Sequence, residues 1–61
     1  MKKQYPDYIY FKRATGLIKG FCRIINIHDG LMTIELRQDG KEHIIPNRSI
    51  IELIKDARRN E

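Results

Sequence analysis

Ile25-Asn26-Ile27-His28-Asp29-Gly30-Leu31-Met32-Thr33-Ile34-Glu35-Leu36-Arg37-Gln38-Asp39-Gly40-Lys41-Glu42-His43-Ile44-Ile45 carries two Asp-Gly pairs between apolar runs. In that setting Asp-Gly marks a two-residue hairpin turn, because both central positions need a positive φ that Asp tolerates and Gly adopts freely. The stretch therefore reads as a three-stranded antiparallel meander. A two-residue turn at Asp29-Gly30 sets His28 against Leu31, Ile27 against Met32 and Ile25 against Ile34. The same turn at Asp39-Gly40 sets Arg37 against Glu42, Leu36 against His43 and Ile34 against Ile45. Both registers place Met32, Ile34 and Leu36 on one face, so one core face is predicted, holding Ile25, Ile27, Met32, Ile34, Leu36 and Ile45. Thr33, Glu35 and Arg37 take the opposite face. Arg37 across from Glu42 is expected as a surface ion pair, worth about 0–1 kcal/mol.

Working outward, Leu17 to His28 is rich in β-branched and aromatic residues (Ile18, Phe21, Ile24, Ile25, Ile27) and reads as one long strand. It does not keep a single phase. Ile25 and Ile27 face inward by the pairing above, while Ile18, Cys22 and Ile24 alternate with the opposite parity. A bulge near Ile24-Ile25 reconciles the two, and is preferred over turning Phe21 inward. Gly20 also permits the strand to bend. Upstream, Tyr8-Ile9-Tyr10-Phe11 favours a further strand, ended by Thr15-Gly16. Residues 1–7 read as a short, polar, flexible arm. Downstream, Ile50 to Ile54 is open to two readings. Ser49 and Glu52 fit a capping box, and Ile50, Leu53, Ile54 and Ala57 have helical spacing. The β-branched residues and the need for a closing strand argue for a strand over 50–54, entered through a short turn at Pro46-Asn47-Arg48-Ser49. A charged tail follows over 55–61. The expected fold is all-β: a five-stranded, strongly bent antiparallel barrel over residues 8–54.

The chain has 61 residues, one cysteine (Cys22) and two histidines. A domain this short buries about 60% of the surface its unfolded chain exposes. Cys22 has no disulfide partner in the chain. Cys22, His28 and His43 lack the number and spacing of a zinc site, so no metal or other cofactor is expected. Self-association is the remaining support, and a homo-oligomer is expected. No apolar run approaches a membrane span, and Gln4-Tyr5-Pro6-Asp7 is wrong for the core of a signal peptide. A reduced, cytoplasmic setting is the expectation. The net charge of +4 is uneven: residues 1–25 carry six basic and one acidic side chain, residues 26–61 six and seven. A one-sided basic surface suits a polyanion such as nucleic acid.

Gly20-Phe21-Cys22-Arg23-Ile24-Ile25-Asn26 and Met32-Thr33-Ile34-Glu35-Leu36 have spacings similar to the two pieces of the first Sm-like motif. Ile45-Pro46-Asn47-Arg48-Ser49-Ile50 is loosely similar to the second. With five strands, a long bent second strand and a tight turn before the last, the chain resembles the SH3-like and Sm-like small barrels over residues 8–54. Thr33 stands where that family usually has Asn, Ser49 where it has Gly, and the intervening hairpin is longer. The resemblance implies RNA binding and matches Asn26, Thr33 and Arg48 to base-binding positions. Turn chemistry for Asn26 and an exposed strand position for Thr33 are the plainer alternatives.

The residues themselves suggest another face. With Ile9, Ile18 and Cys22 inward, Tyr8, Tyr10 and Lys12 share the outer side of the first strand, and Lys19, Phe21 and Arg23 that of the second. Arg13 adds a nearby charge. Aromatic rings interleaved with cations suit single-stranded nucleic acid, with stacking worth about 1–3 kcal/mol per base. With Asn26 and Arg48, which the resemblance implies, the candidate binding set is Tyr8, Tyr10, Lys12, Arg13, Lys19, Phe21, Arg23, Asn26 and Arg48. Tyr and Arg are equally favoured at protein interfaces, so the alternative is an adaptor or inhibitor acting through the same face or through a sheet edge. Neither histidine has a partnered nucleophile or carboxylate at a recognisable spacing, and no enzyme is expected.

Overall fold

The computed structural model describes residues 3–57. Five strands form one antiparallel sheet: β1 (Asp7–Arg13), β2 (Gly16–His28), β3 (Leu31–Leu36), β4 (Glu42–Pro46) and β5 (Ile50–Ile54). Their order across the sheet is β4-β3-β2-β1-β5. A 3-10 turn, Asn47–Ser49, joins β4 to β5. The segment over 50–54 is thus a strand, and the helical spacing of its apolar residues is not used. Residues 1–2 of the arm and 58–61 of the tail lie outside the described residues.

The bend follows from how β2 is shared. Its first half pairs with β1, from Gly16 opposite Arg13 to Cys22 opposite Asp7. Its second half pairs with β3, from Cys22 opposite Leu36 to His28 opposite Leu31. Cys22 is the position common to both ladders. The strands at the two edges, β4 and β5, are separated by only three residues of chain, so the sheet must curl to bring its edges near one another. The Cα extents of 30 × 21 × 20 Å fit that curl, since the Cα atoms of one flat sheet alternate closely about a single plane. No ladder joins β4 to β5, and the sheet is open.

The concave side holds the core: Ile9, Phe11, Cys22, Met32, Ile34, Leu36 and Ile45 are buried, with Ile18, Ile24, Ile50 and Leu53 packed against them. Burial pushes the Cys22 thiol up to about 11, with Asp7 adding to the shift, as suits a packing residue. The expected bulge is present, because the β2–β3 register shifts between Ile24 and Asn26. It corrects the predicted core. Ile25 is the extra residue and is 39% exposed, while Ile24 takes the place opposite Ile34. Ile27 pairs with Met32 as expected but is 56% exposed. It lies beyond Cys22, where β1 no longer flanks β2.

The two Asp-Gly turns differ. Asp29 (φ 52) and Gly30 (φ 74) both take the left-handed region, as a two-residue hairpin turn demands. At the second turn only Gly40 does, with φ 66. Arg37 to Gly40 make a four-residue loop, closed by Gly40 N donating to Leu36 O (2.8 Å) and Leu36 N to Lys41 O (3.2 Å). The β3–β4 register is therefore two residues from the expected one, with Ile34 opposite His43 and Met32 opposite Ile45. An even shift preserves the faces, so Ile34 and Ile45 stay inside. It removes the expected Arg37–Glu42 pair: Glu42 sits opposite Glu35, and Arg37 belongs to the loop.

Candidate nucleic-acid interface

Strand alternation and the β1–β2 register assemble the convex face. Tyr8 is opposite Phe21, Tyr10 opposite Lys19, and Lys12 opposite Leu17. The Tyr8 and Phe21 rings meet edge to face, with centroids 5.1 Å apart at 86°, an arrangement that aromatic quadrupoles favour. The Arg37 guanidinium lies 5.3 Å from the Phe21 ring centroid. Loop and strand are tied here by Arg37 N donating to Phe21 O at 2.9 Å. Tyr8, Tyr10 and Phe21 are half-buried, whereas Lys12, Lys19 and Arg37 are exposed. On the far side of β1, Ile54 and Glu52 of β5 stand opposite Tyr8 and Tyr10 and extend the face.

Arg23 shares this face but is engaged. It stands opposite Glu35. Its Nη2 and Nε donate to Glu35 Oε1 at 2.8 and 3.1 Å. Glu35 is 3% exposed although it faces away from the core. What covers it comes from the segment before β1: the Tyr5 hydroxyl donates to Oε2 at 2.5 Å and Lys3 Nζ to the same oxygen at 3.2 Å. These donors, Tyr5 first and then Arg23, with Lys3 behind them, hold the Glu35 carboxyl down at about 2 against the opposing effect of burial. The same bond raises the Tyr5 hydroxyl above its ordinary value. Among the described residues Lys12, Lys19 and Arg37 have no carboxylate partner, so they are the free cations of the convex face, which also carries the exposed carboxylate of Glu52.

The remaining candidates lie elsewhere. Arg13 alternates to the concave side. Its Nη2 donates to His43 Nδ1 at 3.0 Å, and its guanidinium lies 5.6 Å from the Phe11 ring centroid. Asn26 is exposed and opposite Thr33, past the bulge. Arg48 is exposed on the 3-10 turn, next to Asn47, whose N donates to Gly30 O at 2.9 Å. That bond places the β2–β3 turn beside the 3-10 turn, but neither Asn26 nor Arg48 joins the aromatic group.

Three features are missing from the sequence reading. Arg37 is expected in a hairpin pair, which the longer loop removes. The Arg23–Glu35 pair was within reach, because carrying the bulge through the register gives it directly. Nothing in Lys3-Gln4-Tyr5 signals that those side chains reach Glu35. No family model, curated protein or solved structure matches this chain.

Proposed function

We propose that this chain is a small non-catalytic barrel of the SH3-like or Sm-like kind that binds single-stranded nucleic acid, RNA foremost, in the cytoplasm. The binding surface is the convex face of β1 and β2. The observation that carries this reading is the joining of Tyr8, Tyr10 and Phe21 with Lys12, Lys19 and Arg37 on one face, none of those cations having a carboxylate partner among the described residues. Rings offer stacking to any base, and unpaired cations offer phosphate contacts. The barrel reading is supported by the sharing of β2 between two ladders and by the three-residue link between the edge strands.

Three cations on a single strand predict that log K falls with log salt at a slope of about −2. Fluorescence anisotropy with a short labelled oligouridine, titrated at rising salt, tests this. A second reading, a protein interface on the same face, draws on Leu17 and Ile54, which are 57% and 41% exposed and flank the rings. It gains if no oligonucleotide binds even at low salt.

A further inference from the structure

A cavity of about 190 Å³ opens where the end of β1 faces the β4 edge, lined by Phe11, Lys12, Arg13, Ala14, Ile44, Ile45 and Pro46. Its walls mix apolar and polar surface, and two of the residues on them, Lys12 and Arg13, are cationic. Arg13 is half-buried and has no carboxylate partner among the described residues. Its Nε is buried and without a hydrogen-bond partner. A buried N–H on a charged group left in that state is costly. Its neighbour does not cancel the charge. Arginine only donates, so the contact with His43 Nδ1 makes that nitrogen an acceptor and places the imidazole proton on Nε2. Nε2 in turn donates to Asp39 Oδ2 at 3.0 Å. The Lys41 N–H, before His43, holds the Asp39 carboxyl below its ordinary value. Asp39 is thus committed to Lys41 and His43 and reaches Arg13 only through the ring.

We propose that this cavity is a binding site for a small oxyanion carried on an apolar or flat body, with Arg13 as its anchor. A carboxylate or phosphate would be drawn to the Arg13 guanidinium and the Lys12 ammonium together, charge-assisted pairing of the kind arginine favours with oxyanions. Phe11, Ile44, Ile45 and Pro46 hold the attached body. The cavity admits a group the size of a nucleobase or a benzene ring rather than a folded partner. The cavity shares Lys12 with the convex face, but its anchor, Arg13, lies on the concave side, and the inference does not rest on the nucleic-acid reading.

The test is nitrogen-edited NMR of the full chain, following the Arg13 Nε–H and the Ala14 and Ile45 amides. Uridine monophosphate, uridine and benzoate are titrated separately at low salt. Uridine monophosphate or benzoate should shift these signals at millimolar concentration and uridine should not; whichever anion binds more tightly identifies the source as phosphate ester or carboxylate. Arg13→Gln should weaken the binding by about tenfold or more, the loss of a charged hydrogen-bond donor. Ile44→Glu changes an edge position that is 61% exposed. It should fold normally and also weaken anion binding by placing a like charge at the rim. The proposal is overturned if neither anion moves these signals, if uridine moves them as much, or if Ile44→Glu binds like the parent.

Discussion

Glu35 joins the segment before β1 to the sheet, and its behaviour in acid should show it. Its folded pKa of about 2 lies below the ordinary 4.5. A depressed carboxyl contributes stability that is present above the unfolded value and lost as pH falls through the folded one. Denaturation midpoints should therefore fall between about pH 4.5 and 2, and Glu35→Gln should flatten that window. A Glu35→Gln variant with the parent's pH profile would remove Glu35 from this role. The sequence marked Glu35 as outward, correctly, but outward is not the same as exposed. Its burial depends on Lys3 and Tyr5, which no periodicity connects to β3. The core residues are a plainer case. Ile34→Ala should cost about 2–5 kcal/mol, against a total of about 3–9 kcal/mol for a chain of this length. Ile27→Thr should change stability by less than about 0.5 kcal/mol, as exposed positions do. Urea titration of the pair checks the ranking, and equal losses would refute the core assignment.

At the scale of elements, the two Asp-Gly turns show what local chemistry specifies. Each pair announces a reversal because its glycine needs φ above zero. It does not announce how many residues the reversal takes. At Asp39 the side chain accepts from Lys41 N at 2.8 Å, so the aspartate closes the end of a four-residue loop instead of occupying a left-handed turn position. The fold was legible despite this, since a shift of two residues leaves every side chain on its face. The bulge is different, because one extra residue changes the face. Ile18, Cys22 and Ile24 on one parity and Ile27 on the other made it visible, but which isoleucine would be expelled was not. Gly30→Ala should destabilise the hairpin by about 1–2 kcal/mol, the cost of a left-handed L residue. A thermal melt unchanged by it would contradict the turn geometry.

For the whole molecule, the open sheet leaves one side of β4 and one side of β5 unpaired. Unpaired strand edges are templates for a second chain. Light scattering at micromolar concentration should give a mass above the 7.3 kDa of one chain, and a clean monomer would end the expectation of a homo-oligomer. The convex face was legible from parity alone at Tyr8, Tyr10, Lys12, Lys19 and Phe21. Parity keeps Arg23 on this face but says nothing of its bond to Glu35, and it turns Arg13 inward with Ile9 and Phe11, toward His43. The most direct test of the central claim compares Phe21→Ala and Lys19→Ala in oligouridine binding across a salt series. Phe21→Ala should weaken binding by about 1–3 kcal/mol with the salt slope unchanged, since stacking releases no counterions. Lys19→Ala should make the slope shallower by about 0.7, one phosphate's share on a single strand. Parent-like affinity in Phe21→Ala, or a parent-like slope in Lys19→Ala, would contradict binding on this face.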